Sequence, residues 1–361
     1  MTSGRTRIRG AACAVLLLTA GAVSTAEAQG LQPGRVAVEA VAAVSTSSQA
    51  ADDPFVFLDL TTTTRVNESL DIIVRPYARR LPGGDWDALL YQAEIRYQPI
   101  NGLRLEAGII SSPIGLGTLE LRQDINPGVA SVFYYFSPLP LFDAQADRVQ
   151  VLSGGYPLGA MVSSSGSWWD VRGGVTDGTP ARYRKIFASN NPAAAPQLIL
   201  GGGVSPRQGL RLGVGLAHGA YRDAEDTDYY VNPVPLPDGD ATVFNVEGEY
   251  AFGYTRLSGE WVRDRFESTS TPAVARSLYL QGVQTLTPRI FTVGRFTRVS
   301  APVSVVDHDR RSSRSSFEVS AGYRVTPEWI VKGGYEASRR FSTNDWVHAA
   351  TVSVVWAKRW F

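Results

Sequence analysis

The chain has 361 residues, of which 44% are hydrophobic, 35 are basic and 34 are acidic. This charge balance gives no support to nucleic-acid binding, which needs a basic surface. The one cysteine, Cys13, lies close to the N-terminus, so the remainder of the chain contains no disulfide, cysteine metal site or thiol nucleophile.

The N-terminus has the pattern of an export signal. Three arginines precede an apolar run from Ala11 to Val23, and Ala26-Glu27-Ala28 has the small-x-small form of a leader-peptidase site. We predict a signal peptide over 1–28 and an exported mature domain over 29–361. The leader contains three of the 35 basic and one of the 34 acidic residues, so the mature chain has a net charge of −1.

Beyond the leader, two kinds of connection alternate along the chain. Short turns, mostly with Pro or Gly, mark strand ends, because proline presets φ and cannot sit inside a paired strand. There are seven such turns, at 65–70, 97–103, 165–167, 204–210, 251–254, 286–290 and 325–329. Eight longer connections lie between them, at 45–54, 81–87, 111–146, 177–196, 222–240, 268–274, 301–314 and 341–345. This order predicts sixteen strands with both termini on the short-turn side.

Within the strands the residues alternate with a period of two. In segment 103–109 the odd-numbered residues are apolar, whereas Arg104 and Glu106 share the opposite face. A soluble β-sandwich alternates in the same way, but it has no reason to keep its long connections at one end. No segment after the leader approaches the roughly 18 apolar residues of a membrane-spanning helix. We therefore predict an all-β, 16-stranded antiparallel transmembrane β-barrel in the outer membrane of a Gram-negative bacterium. A break within 151–161 together with one further break would make eighteen strands.

The polar face of such a barrel lines water, a ligand or a plug, because about sixteen strands enclose a space too wide for side chains to fill. The predicted inward residues carry both signs in similar number. The basic ones are Arg96, Arg104, Arg172, Arg211, Arg256, Arg324 and Lys332, and the acidic ones are Glu94, Glu106, Asp170, Glu247, Glu249, Glu260, Glu318 and Glu336. Near-cancelling charges predict weak ion selectivity. For each residue, a cross-strand salt bridge without a transport role is the alternative.

The longest connection, 111–146, contains the aromatic and proline-rich sequence FYYFSPLPLF at 133–142. Such a segment is unfavourable as a water-exposed loop. We predict that this third loop folds into the lumen and forms a constriction, with its charges supplied by Glu120, Arg122, Asp124 and Asp143. Its aromatics could instead cover a subunit interface.

One family resemblance is visible at this loop. The sequence AGIISSPIG at 107–115 resembles the Gly-x4-Pro-(aromatic or aliphatic)-Gly segment that leads into the third loop of the phosphate-selective porin (O/P) type, and Asp147-Arg148-Val149 resembles the start of that family's next strand. The resemblance implies a sixteen-stranded, usually trimeric outer-membrane channel with an inward third loop. Only three lysines follow the leader, unlike the arginine- and lysine-rich anion ladder of that family, although arginine can hold anions bidentately.

Features that would indicate an enzyme are absent from the sequence pattern. His218, His308 and His348 stand singly, without a nucleophile nearby, so we predict no catalysis, no cofactor and no metal centre. An acidic loop near 223–240 could bind divalent cations that bridge lipopolysaccharide, or could be a solvated loop, since its spacing matches no calcium loop.

The sequence thus predicts a porin for passive diffusion of small hydrophilic solutes or ions, with weak or mildly anionic selectivity. A non-conducting barrel with a structural or surface-interaction role is the alternative. Expected partners are outer-membrane lipid and lipopolysaccharide, the barrel-assembly machinery through the C-terminal strand, and two further copies in a homotrimer. Phe361 is the expected barrel-closing end. Alternation places it with Arg359 and Val355 rather than with Trp360 and Trp356, which predicts a bulge near 358–360 or a Phe361 at the lumen edge.

Overall fold

The structure is a computed structural model that describes residues 31–111, 114, 122–129, 138–140, 148–150, 157–176, 196–222, 239–267, 271–302, 311–340 and 345–360. The predicted signal peptide lies outside these residues. In the described part of the chain, no helix is long and apolar enough to cross a membrane.

The described residues form eighteen strands. Their bounds are β1 Val36–Ser47, β2 Phe55–Asn67, β3 Leu70–Arg80, β4 Trp86–Ile100, β5 Leu103–Ile109, β6 Pro138–Pro140, β7 Arg148–Gln150, β8 Leu158–Ser165, β9 Trp169–Thr176, β10 Gln197–Arg207, β11 Leu210–Arg222, β12 Gly239–Phe252, β13 Thr255–Phe266, β14 Ala273–Thr285, β15 Ile290–Pro302, β16 Arg311–Arg324, β17 Trp329–Arg340 and β18 Trp346–Trp360.

Sixteen of these strands close into one antiparallel barrel. Each barrel strand pairs with the next, β5 pairs with β8, and β1 pairs with β18 to complete the circle. Strands β6 and β7 form a separate two-stranded sheet, so the count in the barrel is sixteen and not eighteen. The predicted all-β, sixteen-stranded antiparallel barrel is confirmed.

The connections differ in length at the two ends of the barrel. Seven of them have two to four residues, and the other eight have at least five. Because the strands are antiparallel, all seven lie at one end, called here the short-turn end, and all eight lie at the long-loop end. Gly102 and Gly209 occupy two of the short turns with φ of 79° and 80°, a conformation that other residues adopt only with strain. The turn residues of the sequence therefore separate the strands as predicted.

One strand boundary differs from the prediction. The sequence predicts that Asp147-Arg148-Val149 opens the barrel strand after the third loop, but Arg148–Gln150 pairs with Pro138–Pro140, and the barrel strand begins at Leu158. The third loop of the long-loop end thus runs from 110 to 157. A short alternating segment forms a strand with whichever partner it meets, and its sequence alone does not name that partner.

The two faces of the sheet have opposite polarity to those of a soluble protein. Outward residues such as Val214 and Val319 are apolar and exposed, at 55% and 69%, whereas inward Glu260 and Lys332 are 2% and 1% exposed. Exposed aromatics lie near both ends of the strands: Tyr97, Trp168 and Trp329 at the short-turn end, and Trp86 and Trp346 at the long-loop end. An apolar outer belt with aromatic edges fits a lipid environment.

Inside the barrel, the wall formed by β1–β4 and β18 carries an apolar cluster. Phe57, Tyr77 and Tyr91 pack together with Val355, with successive ring centroids 5.1 and 4.5 Å apart. The inner wall is therefore divided into an aromatic sector and a larger polar sector.

Candidate functional site

The first charged group of the inner wall lies on β4 and β5. Because β4 and β5 pair in register, Arg96 lies opposite Glu106, and Glu94 lies two residues away on the same face. The Arg96 guanidinium is 2.7 Å from the Glu94 carboxylate and 3.1 Å from that of Glu106, which also lies 3.2 Å from Arg104. Both carboxylates are buried, and two guanidinium groups lie against them, so this group of four side chains has no net charge.

A second group lies on β9, β11 and β12. Arg211 donates two hydrogen bonds of 3.0 Å to Asp170 and also pairs with Glu247, which has Arg172 at 3.6 Å. The contact between Arg211 on β11 and Asp170 on β9 passes over β10. Glycine leaves room for it, because a Cβ on Gly203 of β10 would lie 2.8 Å from the Arg211 guanidinium. The glycine-rich sequence of β10 thus holds a bidentate arginine flat against the wall.

The third group joins the inner wall to the third loop. Lys332 on β17 is buried, and its ammonium donates hydrogen bonds of 2.8 Å to the carbonyl oxygens of Gln123 and Asn126. On β16, Glu318 accepts a hydrogen bond of 2.7 Å from the backbone N–H of Val129. Segment 122–129 therefore lies inside the barrel, against β16 and β17.

An arginine on β15 completes this attachment. The Arg295 guanidinium lies 3.0 Å from Glu318 and donates a hydrogen bond of 2.7 Å to the side chain of Asn126. Arg295 and Glu318 have side-chain exposures of only 3% and 1%. A buried pair of this kind holds strongly to a particular geometry, because removal of either partner leaves an uncompensated charge.

The same loop segment also contacts β1. Arg122 donates two hydrogen bonds to Glu39, at 2.9 and 3.1 Å, and lies 2.6 Å from Asp124. Burial disfavours the charged form of Arg122, but the hydrogen bonds and charges of Glu39 and Asp124 outweigh it and raise the pKa of the guanidinium above its ordinary value. Arg122 is therefore a permanent positive charge that ties the loop to the β1 wall.

A cavity of about 410 Å³ lies between segment 124–127 and the short-turn ends of β12–β17. Its lining includes Arg256, Arg324 and Lys332, with Asp124 as its acidic residue. The Arg324 guanidinium lies 4.7 Å from the ring centre of Phe291. In the described part of the chain, neither Arg256 nor Arg324 has a carboxylate within 4 Å, so the described residues of this lining carry excess positive charge.

The structure places the sequence-predicted residues as follows. Pairing register puts nine of them on the inner face of barrel strands: Arg96, Arg104, Glu106, Arg172, Arg211, Glu247, Glu249, Arg256 and Arg324. Arg122 and Asp124 lie in the inward loop segment. Glu120 and Asp143 lie outside the described residues.

Several residues of the site are missing from the sequence prediction. Arg295 and Glu39 bind the loop, and Arg75 and Asp59 form a buried pair at 2.6 Å. Alternation along 290–302 could have placed Arg295 on the inner face. For Glu39 no signal in the sequence identifies Arg122 as its partner, because 83 residues separate them.

The absence of catalytic and metal chemistry stays a prediction. No group of three or more His, Cys, Asp or Glu among them could hold a metal ion. Of the histidines, His218 lies on the outer face beside Thr242, and His348 contacts Tyr335. His308 is outside the described residues.

Comparison with known proteins gives matches at the level of structure alone. No protein-family model matches the chain, and no curated protein matches it. Among solved structures, OmpF of Salmonella typhi in complex with daunomycin aligns with a TM-score of 0.57 at 10% identity, covering 90% of this chain and 97% of that one. The anion-selective porin from Comamonas acidovorans aligns with a TM-score of 0.56 at 11% identity, covering 90% and 99%.

A loop L8 deletion mutant of OmpT, an outer membrane protein of Vibrio cholerae, aligns with a TM-score of 0.56 at 12% identity, covering 90% and 98%. The chain has the fold of the outer-membrane porins. At these identities the likeness extends to the fold and no further. The narrower resemblance to the phosphate-selective type has no family-model match and stays a prediction.

Proposed function

We propose that this protein is a porin of a Gram-negative outer membrane, through which small hydrophilic solutes diffuse passively. The observation that carries the proposal is the attachment of segment 122–129 to the inner wall by Lys332, Glu318 and Arg295. A barrel of sixteen strands encloses more space than its side chains fill, and a loop fixed inside it narrows that space. The third loop then acts as the constriction.

The charges of the wall suit a hydrated path. The groups on β4–β5 and β9–β12 pair their charges within the wall and still present polar atoms to the lumen. Such internally neutralised groups favour water over apolar solutes and give little preference for either ion sign. Solutes then cross down their own gradient, limited by their size at the constriction, and no reaction step is required.

A mild preference for anions is part of the proposal. Arg256 and Arg324 line the cavity beneath the loop, and no carboxylate of the described residues is in ion-pair contact with either of them. Lys332 adds a third positive charge there. Arginine presents a fork that matches carboxylate and phosphate oxygens. This supports small anionic solutes as the preferred class, and within it phosphate-type anions as the resemblance in the third loop implies.

We also propose a homotrimer that is inserted by the barrel-assembly machinery through β18. A trimer form is described for OmpT of Vibrio cholerae, which aligns with a TM-score of 0.54 at 11% identity and covers 90% of this chain. The mass of the detergent-solubilised native complex, measured by native mass spectrometry, tests this assembly directly.

Liposome swelling tests the proposed function. Vesicles containing the folded barrel and loaded with an impermeant polymer are diluted into isotonic solutions of neutral sugars of increasing size. A porin produces swelling whose rate falls steadily with sugar size. Heat-unfolded protein in the same vesicles is the control. A folded barrel that gives no swelling with the smallest sugar would favour the non-conducting alternative.

A further inference from the structure

The outer face of the barrel carries a compact group of arginines at the long-loop ends of β13, β14 and β15. Arg263 on β13 and Arg276 on β14 are directly opposite in register, and both are exposed. Arg265 follows Arg263 on the same face, and Arg298 on β15 lies one row nearer the short-turn end, opposite Leu278. These four residues are called here the outer arginine patch.

The position of the patch is set by the rows of side chains beneath it. One row towards the short-turn end, the outward residues include Trp261 and Leu278 beside Arg298, and in the next row they include Leu280 and Phe296. Two residues along a strand span roughly 7 Å. The patch therefore begins within one row of the apolar belt, at the level where lipid headgroups meet acyl chains.

The two arginines at the centre of the patch, Arg263 and Arg276, carry like charges on paired strands. Like charges directly opposite on paired strands repel each other. In the described part of the chain, Arg263 and Arg276 have no carboxylate within 4 Å, and Arg265 has Glu267 at 3.9 Å. A repulsive pair at a lipid boundary is stabilised by an anion from outside the protein.

We propose that the outer arginine patch binds the phosphate groups of lipopolysaccharide in the outer leaflet. In a barrel of this type the long-loop end faces the cell exterior, where the phosphorylated glycolipid lies. Guanidinium forks hold phosphate oxygens bidentately, and the apolar rows below accept the acyl chains. A second copy of the chain would have to present carboxylates to the patch, and loss of the oligomer in the variant described below would reveal that arrangement.

The proposal rests on the outer-membrane placement of the barrel, and it does not depend on conductance. The swelling assay therefore tests the proposed channel, and the lipopolysaccharide-binding assay tests the patch independently of it. A barrel that binds the glycolipid without permeating sugars would refute the proposed channel and leave the patch assignment intact.

The test measures binding of purified lipopolysaccharide to the detergent-solubilised mature protein by native mass spectrometry, alongside the same lipopolysaccharide after dephosphorylation and inorganic phosphate alone. The variant is Arg263→Gln/Arg276→Gln. The matched control, Arg207→Gln/Lys358→Gln, removes two exposed positive charges near the short-turn end.

Each basic residue near an anionic surface contributes roughly 1 kcal/mol to binding, and 1.4 kcal/mol corresponds to about a tenfold change in affinity. The double variant is therefore expected to bind lipopolysaccharide roughly thirtyfold more weakly than wild type. The control is expected to bind as wild type does, and dephosphorylation is expected to weaken wild-type binding by a similar factor. Should the double variant not fold, the single variants Arg263→Gln and Arg276→Gln are each expected to lose roughly fivefold.

Three results would overturn the assignment. One is equal affinity of variant and control for lipopolysaccharide. Another is loss of the oligomer in the variant with lipid affinity unchanged, which would assign the patch to a contact between copies. The third is binding of inorganic phosphate as tight as that of the glycolipid.

Discussion

Replacement of Lys332 by methionine removes the ammonium that holds two loop carbonyl oxygens, at nearly constant side-chain length. Each of these bonds, at 2.8 Å to Gln123 and Asn126, comes from a charged donor whose side chain is buried. Hydrogen bonds to charged groups contribute about 1.5–3 kcal/mol each. The loss of two bonds is expected to weaken attachment of segment 122–129 by about 3 kcal/mol, which raises the detached population roughly a hundredfold.

A thiol at position 129 reports this detachment. Val129 is 9% exposed, and its N–H is bound to Glu318, so a Val129→Cys side chain reacts with a bulky maleimide only when the segment leaves the wall. Cys13 is the one cysteine of the chain and lies within the predicted signal peptide, so protein expressed from residue 29 contains no thiol besides the introduced one. We expect maleimide labelling of Val129→Cys to be roughly a hundredfold faster in the Lys332→Met background.

The control is Lys358→Met on the outer face. Lys358 has a side-chain exposure of 43% and lies 3.7 Å from the equally exposed Glu328, a pair of the kind that contributes little. Labelling in this background is expected to match that of Val129→Cys alone. Equal labelling rates for the Lys332 and Lys358 variants would refute the role of Lys332 in fixing the loop.

Four further predictions concern residues of the lumen. Glu318→Gln leaves the buried Arg295 guanidinium without its carboxylate and is expected to lower the free energy of unfolding by about 3 kcal/mol. Asp264→Asn is expected to raise the free energy of unfolding by about 1 kcal/mol, since both carboxylate oxygens of Asp264 are buried without a hydrogen-bond partner among the described residues. Denaturant unfolding in detergent measures both. Gly128→Ala drives a Cβ into the Glu318 carboxylate and is expected to accelerate the labelling of position 129. Arg256→Gln/Arg324→Gln is expected to shift the reversal potential under a salt gradient towards cations, because it removes two lumen cations that have no ion-pair partner among the described carboxylates.

Each of these predictions has a matched control in the chain. Glu328→Gln alters an exposed carboxylate in a short turn and is expected to leave the free energy of unfolding unchanged. Gly294→Ala adds a Cβ with no atom within 4 Å and is expected to leave labelling unchanged. Arg207→Gln alters an exposed arginine over the Tyr250 ring and is expected to leave the reversal potential unchanged. If a control variant changed the measured quantity as much as the corresponding test variant, the physical reason given for that prediction would be refuted.

The strands could be read from the sequence because each depends on local chemistry. Proline and glycine in the short turns end paired strands, and alternation assigns the faces, so all seven short turns and the inward position of residues such as Arg211 and Glu247 follow from residues close in sequence. The C-terminal strand is similar. Val355 is buried and Val352 is 51% exposed, as alternation predicts. The register with β1 is unbroken to Trp360, which gives no bulge there, and Phe361 lies outside the described residues.

The loop attachment could not be read in the same way, because its contacts join residues far apart in sequence. Val129 meets Glu318 across 189 positions, and Lys332 meets Asn126 across 206. Alternation states that Glu318 and Lys332 face inward, but it carries no information on what they meet. The same limit explains why Arg148–Gln150 pairs within the loop rather than opening a barrel strand.

Single-channel recording in a planar lipid bilayer tests the central claim most directly. The folded barrel is added at low concentration in potassium chloride, and the current is followed at fixed voltage. A porin with a loop-narrowed lumen is expected to produce discrete, long-lived conductance steps that grow in proportion to salt concentration. A silent membrane, with the protein shown to be inserted and folded by its heat-modifiable migration, would contradict the account.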